Sequence, residues 1–322
     1  MANYKDIHGF QIETVTSNPA NPANGQVWYN STDQKLRANA KTTAGTWSTG
    51  GNLNTARFYG GGAGTQTSAL FFAGEKTGSP GVTADTEKYN GTSWTEVANL
   101  NTARVNLGGA GVSNTSALAI GGEPDKAITE SWNGTSWAEV ADLNTARGRS
   151  TGTGIQTAAL FSGGSPPNNG TAVTESWNGT SWAEVADLNT ARTYIAFSGT
   201  YTSAVTGGGL SPPGTHKLET ETWNGTSWTE VANLNTQNGG RVTFGQNNAN
   251  AISATGGNTE EWNGTAWTEI ADMSVPRFNA GAGETPSTAG LIFGGSDPSP
   301  YQAATELFTG AGADSTREFD LS

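Results

Sequence analysis

The sequence predicts an all-β chain built from repeated four-stranded units, and three observations carry that expectation. One phrase recurs five times: EKYNGTSWTEVANLNTAR from Glu87 to Arg104, ESWNGTSWAEVADLNTAR from Glu130 to Arg147 and again from Glu175 to Arg192, ETWNGTSWTEVANLNT from Glu221, and EEWNGTAWTEIADMSVPR from Glu260 to Arg277. A degenerate copy, AGTWSTGGNLNTAR, precedes them from Ala44 to Arg57. Every full phrase holds Asn-Gly between short apolar-polar alternations, the strongest short-range hairpin signal. Between phrases lie short apolar runs that stop at glycine, such as Ser116–Ile120 before Gly121-Gly122 and Leu291–Phe293 before Gly294-Gly295.

Residues 1–42 stand outside the repeats. Ser17–Gly25 is a Pro/Asn-rich turn or linker, and Gln26–Arg37 reads as a hairpin of two short strands. The segment is expected to attach or oligomerise the protein, or to cover the repeats. In the second unit the first strand lies within Val105–Val112, the second is Ser116–Ile120, and Thr129–Trp132 and Thr135–Val140 form the third and fourth. A type I′ turn at Asn133-Gly134 is expected to join the last two, with Asn90-Gly91, Asn178-Gly179, Asn224-Gly225 and Asn263-Gly264 as its equivalents. Glycines mark places where backbones approach closely or bend. Leu53, Leu100, Leu143, Leu188, Leu234 and Met273 begin successive crossings 39–47 residues apart.

That spacing suits the blades of a β-propeller. The last unit, from Arg277 to Gly310, holds Glu306 and Phe308 but lacks a tryptophan-bearing fourth strand, whereas Gly45–Ser48 is a fourth strand without its first three. Together they complete a blade and give six, with residues 43–310 as the propeller and 311–322 as a tail. The unit after Asn235 carries extra residues before Arg241 and almost no link between Gly257 and Glu260.

A Gly-Gly pair ending the second strand, a Glu two residues before an aromatic in the third and a Trp in the fourth resemble the kelch repeat. The Gly-His and Trp-Asp signatures of the other common propeller repeat are missing. The resemblance covers about Thr43 to Gly310 and speaks for fold more than for function. The fold class is thus all-β, a six-bladed kelch-like β-propeller with a small N-terminal β segment.

In such a blade the loops between second and third strands share a face with the crossings, opposite the Asn-Gly turns. Those loops vary among repeats while the turns hardly change, so Lys76, Asp125, Lys126, Asn168, Asn169, His216, Lys217 and Tyr301 are candidate ligand-binding residues. Arg57, Arg104, Arg147, Arg192 and Arg277 recur near the channel on that face. Two readings stand: a guanidinium ring at the channel mouth for an anion, or structural pairing with the repeated glutamates or with backbone carbonyls. Trp94, Trp137, Trp182, Trp228 and Trp267 could stack on sugars, but their strand positions favour core packing. The Asn-Gly-Thr triplets match a glycosylation pattern, for which the hairpin is sufficient explanation.

The chemistry is bounded by what is scarce. There is no cysteine, and His8 and His216 are the two histidines. The copper site of galactose oxidase, the well-known enzyme with kelch-like blades, therefore has no counterpart, and a His-based metal cluster or Ser-His triad is not expected. No cofactor and no catalytic residue is expected. A net charge of −12 disfavours nucleic acid. No apolar run is long enough for a membrane span, and the N-terminus lacks the apolar core of a signal peptide.

The near-identical repeats, the Gly/Thr/Ser/Asn bias, the missing cysteine and the GQVWYNST…KL stretch look like kelch-type virion proteins of tailed bacteriophages, particularly marine ones. The resemblance implies a non-enzymatic structural protein of the virion surface or tail, made in the host cytoplasm. Residues 1–42 would contact other virion proteins or form a homo-oligomer, and the propeller would face a host glycan or protein. Two alternatives stand beside it: a glycan-degrading enzyme with two acids facing one cleft, and a bacterial kelch scaffold for other proteins.

Overall fold

The computed structural model describes residues 12–19, 26–41, 45–78, 81–124, 126–165, 170–212, 214–237, 240–283, 285–296, 301–310 and 314–319. Two compact units emerge, one of residues 1–45 and 310–322 and one of residues 46–309. Strands and turns account for the regular structure; among the described residues there is no helix.

The larger unit contains six four-stranded antiparallel sheets, five of them meanders whose strands pair in chain order. The first runs Gly61–Thr65, Ser68–Phe72, Thr86–Tyr89 and Trp94–Val97. The second, Gly108–Ser113 to Trp137–Glu139, and the third, Gly152–Ile155 to Trp182–Glu184, repeat it. So do the fourth, Ala196–Thr200 to Trp228–Val231, and the fifth, Val242–Asn247 to Trp267–Glu269. In the sixth, Gly281–Ala282, Ala289–Phe293 and Thr305–Thr309 take their fourth strand from far upstream. Thr46–Thr49 pairs there in a register that sets Trp47 opposite Phe308.

The core lies between neighbouring sheets. Leu70 and Phe72 of the first sheet meet Trp132 and Trp137 of the second, and the same kind of cluster recurs between each consecutive pair. One further cluster joins Leu291 and Phe293 of the sixth sheet to Phe71, Tyr89 and Trp94 of the first. The repeated tryptophans are buried in these clusters and do not face solvent. Each also finds a partner for its indole N–H, as buried Trp requires. Trp137, Trp182, Trp228 and Trp267 donate to Thr86, Thr129, Thr174 and Thr220 of the preceding sheet, and Trp94 donates to Thr305 of the sixth. Trp47 departs from the rule by donating to the Ala271 carbonyl, and the buried Thr259 hydroxyl that would have received it has no protein partner.

Glycine is obligatory where the first strands of the sixth, first and second sheets touch. A Cβ on Gly109 would sit 2.1 Å from the Gly62 carbonyl oxygen, and one on Gly62 would sit 2.3 Å from that of Ala282. Both contacts are with backbone, so no side-chain movement could relieve them.

The hairpins differ from expectation. Trp132 pairs with Trp137, so residues 133–136 form a four-residue connection and the fourth strand starts at Trp137. The Asn133 side-chain oxygen accepts from the amides of Thr135 and Ser136, which withdraws them from strand pairing. Positive φ is confined to Gly134, at 98°, so this is an Asx-type turn and not type I′. Asn90, Asn178, Asn224 and Asn263 make the same pair of bonds.

In the smaller unit, Val27–Asn30 and Lys35–Lys41 form the expected hairpin. Glu13–Val15 adds in parallel to the first of these strands. The segment 311–322, expected as a tail, is corrected: its residues Asp314–Phe319 pair antiparallel with Lys35–Lys41 over six positions. The backbone of the hairpin's outer edge is satisfied by that strand.

Replacing Asn178 by Ala removes the acceptor of two backbone amides and should cost about 1 kcal/mol, read as a lowered urea midpoint. Asn178→Asp, which keeps the acceptor, should recover most of it.

Candidate functional site

The crossings between sheets are pinned by one repeated carboxylate. In the third sheet Glu175 is fully buried on its third strand, and the arriving crossing Leu143–Arg147 wraps around it. One carboxylate oxygen accepts from the Asn144 backbone amide at 2.7 Å and from the Asn144 side chain at 2.8 Å. The other accepts from the Thr145 amide at 3.3 Å and pairs with the Arg147 guanidinium. The Asn144 side chain also donates to the Trp182 carbonyl of the fourth strand. Glu87, Glu130, Glu221 and Glu260 receive the same donors. At Glu306, Ser274 and Val275 stand in for Asn and Thr, and their backbone amides suffice.

This arrangement corrects the guanidinium ring. Arg57, Arg104, Arg147, Arg192 and Arg277 each pair with Glu87, Glu130, Glu175, Glu221 and Glu306, with guanidiniums withdrawn from solvent. Arg241 pairs with Glu260 in the same way, at 3.5 Å. Burial pulls Arg57, Arg147, Arg192, Arg241 and Arg277 below the ordinary guanidinium range, and the adjacent glutamate opposes that pull. These side chains are held by the protein itself and cannot bind an external anion.

A different ring lies two residues further on. Tyr59, Asn106, Arg149, Tyr194 and Asn279 have φ between 53° and 58°, and Gly240 has φ 67°. One comes from each crossing. Their backbones are linked in succession: the amides of Asn106, Arg149 and Tyr194 donate to the carbonyls of Tyr59, Asn106 and Arg149 at 2.8, 2.8 and 2.6 Å. Asn279 donates to Gly240 at 2.9 Å and Tyr59 to Asn279 at 3.1 Å. All six line one cavity, which opens beside a second lined by first strands of all six sheets. Left-handed backbone costs a non-glycine residue about 1–2 kcal/mol, and such strain concentrates at functional sites.

The side chains at this mouth are chemically mixed. Arg149 pairs through Nε with Glu123 at 2.5 Å, both partly exposed, and Asn106 donates to the other Glu123 oxygen at 2.6 Å. The Arg149 guanidinium lies over the Tyr194 ring, 5.3 Å from its centre, and Tyr59 and Tyr194 have ring centres 6.3 Å apart. Burial pushes the Tyr59 hydroxyl up to about 12, with Tyr194 reinforcing the effect, and burial raises Tyr194 as well. Both are neutral phenols at physiological pH.

Of the loop residues expected to bind ligand, His216 and its loop reach this mouth, beside Tyr59 and Tyr194. Lys76 is paired with Asp85 at 2.6 Å and Lys217 with Glu219 at 3.3 Å. Tyr301 stacks on Phe58 and donates to Glu75 at 3.2 Å, at the rim. Lys126 is half-buried and its backbone amide closes a turn onto Gly122. Asp125, Asn168 and Asn169 lie outside the described residues. Sequence reasoning missed Tyr59, Asn106, Glu123, Arg149, Tyr194 and Asn279. The signal that could have found five of them is that side chains change two places after an otherwise constant Arg. Among the described residues no cluster of three His, Cys, Asp or Glu side chains could hold a metal ion.

No family model matches the chain. No curated protein matches it. Among solved structures, "Structure of YjhT" is similar with a TM-score of 0.65 at 13% identity, over 83% of this chain and 99% of that one. At that identity the likeness concerns fold alone. The chain is an all-β protein of propeller-like architecture.

Glu175→Ala strands a buried guanidinium and frees two crossing amides, so it should lower unfolding free energy by about 3–5 kcal/mol. Glu184→Ala, on an exposed stretch of the neighbouring strand, should stay within about 0.5 kcal/mol. Urea melts of the two variants check this.

Proposed function

We propose that this protein is a non-enzymatic binding module, a six-bladed kelch-like propeller displayed on a phage virion to recognise a host glycan or protein. Six equivalent sheets, a core cluster between the sixth and the first, and Thr46–Thr49 completing the sixth sheet support a closed ring. The resemblance of the repeats to virion proteins supports the location. In this reading the smaller unit, with its sheet shared by both chain ends, contacts other virion proteins.

The observation that carries the binding role is the left-handed ring. A left-handed position recurs in every crossing, and it changes identity while the Glu-Arg pair beside it is kept and five of the six crossings also keep Asn-Thr. Tyr, Asn, Arg, Tyr, Gly and Asn at equivalent places make one asymmetric opening on a symmetric scaffold. Rigid scaffolds that carry variable positions are where recognition sits.

The test applies the full chain to a panel of bacterial envelope polysaccharides and outer-surface proteins, scoring binding and new reducing ends together. Saturable binding to one of them without new reducing ends is expected. New reducing ends would make it a glycan-degrading enzyme, and no binding across the panel would remove the recognition role.

A further inference from the structure

We infer that the mouth ringed by Tyr59, Asn106, Arg149, Tyr194 and Asn279 takes a neutral pyranose, a single sugar residue presented from outside. The inference rests on the binding role proposed above and names the ligand class for this site.

Unspent hydrogen-bonding capacity is the first reason. Among the described residues, the Arg149 Nη groups, the Asn279 side-chain amide and the hydroxyls of Tyr59 and Tyr194 have no protein partner, although each residue is half-buried and lines the same cavity. Half-buried polar groups left this way look for a polar guest or water. Arg149 is nonetheless restrained by charge: its Nε lies 2.5 Å from one Glu123 oxygen, without hydrogen-bond alignment, while the other Glu123 oxygen accepts from Asn106. Donors that are positioned in advance lose little freedom on binding.

The aromatic surface is the second reason. Tyr59 and Tyr194 adjoin at 6.3 Å between ring centres, with Phe58 stacked on Tyr59 at 4.1 Å. A pyranose has one face of C–H groups and a rim of hydroxyls. The first suits an aromatic surface, and the second suits a surround holding both donors and acceptors, here Arg149 and Asn279 against Glu123.

Charge decides between sugars. The Arg149 cation is already matched by Glu123, and Glu75 adds a carboxylate at the rim, where it accepts from Tyr301. The other arginines of the crossings are committed to buried glutamates. A uronate or other acid would meet a net negative opening on a chain of net charge −12 and would have to break the Arg149–Glu123 pair. A neutral hexose need not.

The probes are methyl glycosides of glucose, galactose and mannose, set against glucuronic acid, with the full chain observed by saturation-transfer NMR. The variants are Tyr194→Asn and Tyr59→Asn, because asparagine already occupies this left-handed position at Asn106 and Asn279 and so preserves the backbone ring. Thr226→Ala, in an Asn-Gly turn, serves as control. At least one neutral glycoside should bind and glucuronic acid should not. Each Tyr→Asn variant should weaken binding by about tenfold while melting as the parent does, and the control should change nothing.

Tighter binding of glucuronic acid, binding indifferent to both variants, or no glycoside bound would overturn the inference. If the polysaccharide panel still binds in that case, the recognition role survives at another surface. If a glycoside binds here but no envelope component does, the site stands and the host-recognition reading falls.

Discussion

A buried carboxylate that collects four hydrogen bonds sets most of what this chain can be. Glu175 gathers two backbone amides, one side-chain amide and a guanidinium from a crossing that arrives from the preceding sheet. A buried charge is costly unless it is paired and fully hydrogen-bonded, so the glutamate and the Asn-Thr-x-Arg stretch are each of little use without the other. That mutual need accounts for a phrase that recurs with so little change. The tryptophan that opens the fourth strand, Trp182 here, ties the same unit to its neighbour by packing and by one indole hydrogen bond to a threonine. The outlier supports the logic: where Trp47 comes from a distant part of the chain, the threonine bond is lost and packing against Phe308 and Phe244 remains.

A frame held this firmly can carry strain elsewhere. Tyr, Arg and Asn persist in left-handed backbone because the Arg-Glu pair fixes the chain just before them and the first strand fixes it just after. Five peptide-to-peptide hydrogen bonds link these six positions, so the backbone settles their conformation and the side chain is left free to differ. Stability and recognition thus occupy positions two residues apart. Substitutions at Arg147 act on folding, whereas those at Arg149 act on what the mouth presents.

Much of the frame was legible in the sequence because its determinants are repeated words: Asn-Gly for hairpins, Glu and Trp at constant spacing, glycine where strands touch. Structural pairing of the repeat arginines was one of two readings open from sequence, and burial distinguishes it from an anion ring. The turn type was not legible, since Asn-Gly also suits an Asx turn in which Asn133 caps two amides. The strand Asp314–Phe319 was missed because its partner lies near the opposite end of the chain and its residues, DSTREF, lack the alternation of a half-buried strand. The mouth was hidden for a local reason. Left-handed preference shows in Asn106, Asn279 and Gly240 but not in Tyr59, Arg149 or Tyr194. In the fifth crossing the ring residue also precedes its arginine, because of the extra residues before Arg241. Asp125, Asn168 and Asn169, to which loop variation pointed, lie outside the described residues.

The central claim is that each crossing is clamped by its glutamate, and residue-resolved amide hydrogen exchange on the full chain addresses it most directly. Asn144 is an exposed residue whose backbone amide is bonded to a buried carboxylate, so exposure and protection point in opposite directions. The account requires the amides of Asn54, Asn101, Asn144, Asn189 and Asn235 to exchange as slowly as those of second strands such as Ala158–Ser162. Exchange at the rate of an open loop would show that the crossings are loosely held and that the glutamates do not organise the fold.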